Sequence, residues 1–408
     1  MSQNILEMTT MRNDLYMLTL FCLLFGTVPA HAEDAIPLTS RTTPEFPVIL
    51  SLQHEAHAAM DRAYAWLRDQ QHEDGYWSNP EFPALTGLAV WALVGGGEQN
   101  RAAIERGVDY LLSMVRDDGG IYADPSETRR GGGLSNYNTA ICMVALHQVG
   151  RPEFVPIIQR AREFVAKSQF LESDSMFYGG MGYDASTDRE YADLSNSYIA
   201  YEAMRLTESV EDLRAEGERV DLDWAAAIHF VQRIQNLPEY NDQPWVSDSP
   251  RNLGGFAYHP DNTRAGTYTD EDGVVRFNSF GSMTYAGMLS FIYAEVDRND
   301  PRVRSAADWA IRHWTLEENP GTGREGLFYY YNVLSKGLAA YGQNQFIRED
   351  GDPLNWREDL VEKMVAIQRI ENGTGKGYWV NEVGRYWEND PVLVTAYSLL
   401  ALQMALGM

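Results

Sequence analysis

Cysteine is almost missing from this chain: there are two in 408 residues. Two thiols cannot build a disulfide framework or a multi-thiolate metal site. Basic residues are scarce as well, with 33 Lys and Arg against 58 Asp and Glu, for a formal net charge of -25. A chain so acidic is repelled by nucleic acid and by anionic membrane surfaces, which excludes both as main partners. Long apolar runs are also lacking. The one candidate, Leu15 to Phe25, is too short for a permanent membrane span. Aromatic residues are plentiful, with 10 Trp and 23 Tyr, and the hydrophobic share of 44% is enough for a sizeable core.

The short apolar run follows Arg12 and ends near Ala30-His31-Ala32. A basic residue, an apolar core and a small-x-small end are the parts of a secretory signal peptide, so residues 1–32 read as one, with Met11 as an alternative start. Cleavage after Ala32 removes Cys22 and leaves Cys142 alone. The expected location is secreted or periplasmic. Residues 33–53 carry Pro37, Pro44 and Pro47 and read as an extended lead. Residues 54–408 read as one domain, with no integral membrane segment.

That domain is a repeat. Six times an amphipathic, charged helical segment is followed by one that is apolar nearly all round. The joins are rich in Gly and aromatic residues, as in Asp74-Gly75-Tyr76-Trp77, Asp118-Gly119-Gly120-Ile121-Tyr122 and Leu253-Gly254-Gly255-Phe256. A helix with one polar face borders water, and a helix with none does not. Six such pairs predict an all-α (α/α)6 toroid of six helical hairpins, with the apolar helices as inner ring and the amphipathic ones as outer ring. An open solenoid is the alternative. In a ring of hairpins the inner helices run parallel, so their N-terminal ends share one rim.

Candidate site residues follow from that rim. Gly133-Leu134-Ser135-Asn136 and Asp193-Leu194-Ser195-Asn196 precede two inner helices, and such residues cap free N–H groups. Ser135, Asn136, Ser195 and Asn196 are therefore expected on one rim. Tyr330 and Asn332 begin the fifth inner helix. Asp193 is the candidate proton donor, as the acid nearest an inner-helix start. Arg130, Arg189, Arg276, Arg324 and Arg385 recur six or seven residues before inner-helix starts. They are expected either to pair with neighbouring carboxylates or to grip an anionic ligand such as a phosphate or a uronic acid.

The segments Gln70-Gln71-His72-Glu73-Asp74-Gly75-Tyr76-Trp77 and Gln368 to Trp379 resemble the Gln…Gly-x-Trp repeats of squalene-hopene cyclases and protein prenyltransferase β subunits. Thr395 to Leu402 resembles an inner helix of that superfamily. The resemblance covers about residues 54–408. It implies the toroid, and a central cavity that binds an apolar or polycyclic, isoprenoid-like ligand, with or without cyclase or isomerase chemistry.

Departures from the family narrow the chemistry. No Asp-x-Asp-Asp, the proton-donating motif of class II cyclases, is present. Zinc-dependent protein prenyl transfer is not expected, because the one remaining Cys, Cys142, sits within an apolar helix. No metal and no cofactor is expected. Gly95-Gly96-Gly97-Glu98-Gln99 resembles a thioester motif but has Gly96 where the sulfur is needed. Two other readings stay open. One is a polysaccharide lyase or glycosidase on the same toroid, with Tyr329-Tyr330-Tyr331-Asn332 and Tyr386-Trp387-Glu388 as sugar contacts. The other is a non-catalytic binding module.

Overall fold

The computed structural model describes residues 48–124, 133–184, 190–215 and 217–408, which lie in one unit, Leu38–Met408. The signal-peptide reading and most of the lead fall outside the described residues. So do Arg130 and Arg189.

Helices dominate. The odd-numbered ones are α1 (Leu50–Asp69), α3 (Arg101–Ser113), α5 (Val155–Lys167), α7 (Trp224–Gln232), α9 (Pro301–Arg312) and α11 (Trp356–Ala366). The even-numbered ones are α2 (Pro83–Val94), α4 (Ser135–Val149), α6 (Leu194–Leu206), α8 (Gly281–Tyr293), α10 (Leu327–Tyr341) and α12 (Pro391–Leu406). The first helix begins at Leu50, ahead of the helix start expected at His54. Three two-stranded hairpins interrupt the connectors, at β1 (Thr267–Thr269) with β2 (Val275–Phe277), β3 (Gln345–Ile347) with β4 (Pro353–Asn355), and β5 (Arg369–Ile370) with β6 (Gly377–Tyr378).

The two helix classes differ in burial as their sequences require. In α12 nearly every residue from Val392 to Ala405 is buried. In α9 only the stripe Val303, Ala306, Ala307, Trp309 and Ala310 is, at the spacing of one helix face. Each even helix packs on the next even helix, and α12 packs back on α2, so the inner ring closes. The open solenoid is thereby excluded, and the fold is the expected (α/α)6 toroid.

Local bonds explain why the ring closes. Gln71 at the end of α1 donates from Nε2 to Gly75 O in its own turn and to Ala103 O of the following outer helix. Gln169 makes the same pair with Gly179 O and Asp223 O. Gln235 makes it with Gly254 O and Arg302 O. After α11 the partner is Ala59 O of α1, 2.8 Å from Gln368 Nε2. The same amide therefore staples each of these turns to the next repeat and the last repeat to the first. The indoles of Trp77 and Trp379 tie their turns back to Leu67 O and Met364 O.

Glycine is required where the turn meets the next outer helix. Gly179 has φ +91°, and a Cβ there would lie 1.8 Å from Ala226 O of α7. Gly75, Gly119 and Gly254 repeat the arrangement against Arg106, Arg160 and Ser305.

Candidate functional site

The N-terminal ends of the inner helices form one rim, and each loop caps its neighbour. Four free N–H groups open every helix and need acceptors. For α4 Tyr183 O accepts from the N–H groups of Asn136 and Tyr137, at 3.0 and 3.2 Å. For α6 Tyr258 O accepts from Leu194 N, and for α8 Pro320 O accepts from Gly281 N. For α10 the carboxylate of Glu388 accepts from Tyr329 N at 2.7 Å. In each case the acceptor comes from the loop leading into the next inner helix. Residues from two successive repeats are thus brought together at each of these steps of the rim.

The ring interior is crossed by polar side chains. Helices α6 and α10 are not neighbours in the ring, so a bond between them runs through its inside. Lys336 of α10 lies 2.9 Å from Glu202 of α6, and both are buried. Tyr293 of α8 donates to the same carboxylate at 3.0 Å, and the Lys336 ammonium sits 4.3 Å from the ring centre of Trp91 of α2. Four inner helices therefore meet on one ion pair. Ser195 and Tyr329 join α6 and α10 again, with 3.2 Å between hydroxyls. Tyr137 and Tyr397 share a hydroxyl bond between α4 and α12, and burial pushes the Tyr137 phenol up to about 12.

A cavity of about 500 Å³ opens at the rim beside α6 and α8. Phe177, Glu190, Tyr191, Tyr258, His259, Asp261, Asn262 and Arg264 line it. Tyr191 is held between two parallel rings, Tyr183 at 6.3 Å and His259 at 5.4 Å. Phe177 meets His259 edge-on at 5.3 Å. The Arg264 guanidinium lies over the Tyr258 ring at 4.7 Å, and among the described residues it has no ion-pair partner.

Asp193 lies behind this cavity. It is fully buried and caps α6, accepting from Asn196 N at 2.9 Å and Asn196 Nδ2 at 2.7 Å. The Tyr258 and Tyr191 hydroxyls also approach its carboxylate and favour the charged form. Burial raises the Asp193 carboxyl, and those four donors oppose the rise. The Tyr258 phenol is driven far up, first by burial and then by the Asp193 charge, so it keeps its proton at any ordinary pH. The two phenols are 3.4 Å apart.

His259 is held in one tautomer. Its Nδ1 lies 2.5 Å from Asp261 Oδ1. The Asp261 N–H faces the same nitrogen at 3.2 Å, and the shorter carboxylate contact assigns the proton to Nδ1. Burial lowers the imidazole, with Asp261 opposing, so the ring is neutral near pH 7 and Nε2 is its basic nitrogen. The cavity thus offers a protonated phenol, a neutral imidazole and a cation.

The other candidates from the sequence are placed as follows. Ser135 and Asn136 open α4, and Ser195 and Asn196 open the adjacent α6. Asn136 Nδ2 donates to Gly182 O at 2.8 Å, and Ser135 N donates to Asp184 Oδ1 at 3.0 Å. Tyr330 is buried, with its hydroxyl tied to Thr315 O at 2.9 Å, and Asn332 is buried on α10. Arg276 pairs with Asp270 at 2.6 Å and donates to Pro244 O and Val246 O, which fastens the β1–β2 hairpin. Arg385 pairs with Glu325 at 3.2 Å. Arg324 is exposed and has no ion pair among the described residues.

Sequence reasoning missed Tyr191, Tyr258, His259, Asn262 and Arg264. The available signal was the long connector between the Gly254-Gly255-Phe256 turn and α8, which carries Tyr258, His259, Asn262 and Arg264 within seven positions.

No protein-family model and no curated protein matches the chain. Among solved structures it is similar to a variant of the type II terpene cyclase MstE from Scytonema in complex with its product, merosterolic acid A. That similarity has 12% identity and a TM-score of 0.48, covering 88% of this chain and 99% of that one. It is also similar to a protein from Actinoplanes, with 15% identity and a TM-score of 0.44, covering 86% and 99%. The toroid rests on the helix contacts, and the chemistry rests on the residues of the rim.

Proposed function

We propose that this chain is an exported acid–base enzyme of the polysaccharide-lyase type, acting in the rim cavity on a glycan that carries isolated uronate groups. One observation carries the reading: Tyr258, His259 and Arg264 wall one polar cavity, with the Tyr258 hydroxyl accepting from Tyr191 at 3.4 Å. Elimination at a uronate needs three things. The carboxylate must be neutralised so that the neighbouring carbon releases its proton, and Arg264 supplies the charge. A base must take that proton, and neutral His259 serves. The C–O bond to the leaving sugar then breaks as a C=C bond forms, the Tyr258 hydroxyl donating a hydrogen bond to the departing oxygen and the His259 imidazolium returning its proton to it. Asp193 acts in this scheme as a positioning residue for two phenols.

Net charge refines the substrate. A body of net charge -25 repels a dense polyanion. Sparsely charged glycans are therefore the better fit, with one uronate meeting the local cation.

An isoprenoid reading with Asp193 as acid has its own support, since that carboxyl is buried and its proton affinity raised. It is the weaker reading. The carboxylate faces four donors, and the Glu202–Lys336 pair occupies the ring interior where a hydrocarbon would sit.

The test is turnover of a panel of uronate-bearing oligosaccharides, followed by the ultraviolet absorbance of the unsaturated product. Wild type is expected to produce it, and Tyr258→Phe to lose roughly 10²–10⁴ in rate. No unsaturated product from any substrate, or unchanged turnover in Tyr258→Phe, overturns the assignment. Export is tested by N-terminal sequencing of the mature protein, with a start near Glu33 expected and an intact Met1 or Met11 contradicting it.

A further inference from the structure

Backbone strain in this molecule gathers at the rim. Five non-glycine residues have left-handed backbones among the described residues, and four of them precede inner helices: Ser78 before α2, Leu134 before α4, and Tyr386 and Trp387 before α12. Tyr386 has φ 59° and Trp387 φ 65°, two consecutive bulky residues in a conformation that L side chains rarely adopt. Both side chains are also about half exposed, Tyr386 at 50% and Trp387 at 44%.

The two rings are held in place. Phe82 meets the Trp387 ring edge-on at 4.5 Å. Arg385 stands over the Tyr386 ring at 5.3 Å while paired with Glu325. Asp390, in the same loop, is bonded by the Ser78 hydroxyl and caps α12 through Val392 N at 2.9 Å. Beneath the turn Glu388 is buried and bonded to Asn381 Nδ2 at 2.7 Å. The anchors hold the backbone and part of each ring, and the remainder, about half of each side chain, is open to solvent. Tyr386 also lies within electrostatic reach of Arg264 of the rim cavity.

We propose that Tyr386 and Trp387 form an aromatic platform that stacks a pyranose ring of the glycan, next to the subsite where Arg264 meets the uronate. Flat aromatic rings present apolar surface to the C–H face of a sugar, and the neighbouring hydroxyls of the sugar remain in water. The ligand class, a chain of neutral sugars with an occasional uronate, rests on the function proposed above. The platform itself recognises the neutral sugars.

Isothermal titration of the full mature chain with neutral cello-, xylo- and mannohexaose tests this. Wild type is expected to bind at least one of them, and Trp387→Ala and Tyr386→Ala to weaken that binding roughly tenfold. Tyr386→Gly separates ring from fold. It relieves a left-handed backbone, so its melting temperature is expected at or above that of wild type while sugar binding falls. Absence of binding by wild type, or unchanged affinity in both alanine variants, overturns the platform. The lyase reading fails separately: in that case uronate turnover is absent in wild type, yet neutral-sugar binding persists and still depends on Trp387.

Discussion

At the scale of single residues, burial sets the chemistry of the rim. Tyr258 stays protonated because burial and the Asp193 charge both oppose its ionisation, and His259 stays neutral because burial outweighs Asp261. The same force acts on Glu388, whose carboxyl is raised from 4.5 to about 7 by burial although Asn381 and the first N–H groups of α10 bond to it. An acid raised in this way stabilises the native state below about 4.5, where it is protonated in both states. It withdraws that contribution as pH rises through 7, by roughly 3 kcal/mol at most. Wild type is therefore expected to lose stability between pH 5 and pH 8 relative to Glu388→Gln, in denaturant melts of the two proteins at both pH values. Parallel pH profiles would show that Glu388 titrates normally. None of these values was legible in the sequence. Asp193 could be singled out because it precedes a repeated Leu-Ser-Asn segment, but the two phenols that approach it come from positions 191 and 258. Only the rim geometry, in which one loop caps the neighbouring helix, brings them together.

At the scale of elements, the repeat was readable because an inner helix leaves a plain mark. Segments such as Pro83–Val94 and Pro391–Leu406 are apolar on every face, which only a helix surrounded by helices tolerates. The Gln and Gly of the turns were readable as tie points, but the reach of each Gln to the next outer helix was not. That bond joins a side chain to a backbone carbonyl, and any residue supplies a carbonyl. The β1–β2 hairpin went unread for a related reason: its three-residue strands are too short to show alternation. The staple makes a graded expectation. Gln235→Ala leaves Gly254 O and Arg302 O without their buried donor and is expected to cost about 2–3 kcal/mol. Gly179→Ala forces a methyl against Ala226 O at a left-handed position and is expected to cost more, roughly 3 kcal/mol or above. Chemical denaturation of the two variants beside wild type checks the order. A Gly179→Ala protein as stable as wild type would refute the close approach of turn and helix.

At the scale of the whole molecule, a closed ring of parallel inner helices has two distinct places for a ligand, the interior and the rim. Resemblance to cyclases directs attention to the interior. The structure fills part of that interior with Glu202, Lys336 and hydrogen-bonded tyrosines. It places the cation, the protonated phenol and the neutral imidazole at the rim, within one cavity. Among the described residues no helix is long and apolar enough to cross a membrane. The central claim is that the ligand is held at the rim, with its carboxylate on Arg264. A crystal structure of Tyr258→Phe soaked with an uncleaved uronate-bearing tetrasaccharide tests it most directly. The expected result is the uronate carboxylate against the Arg264 guanidinium, with the scissile oxygen facing position 258. A sugar seated inside the ring near Glu202 and Lys336, or an apolar molecule carried there from the host cell, would contradict it.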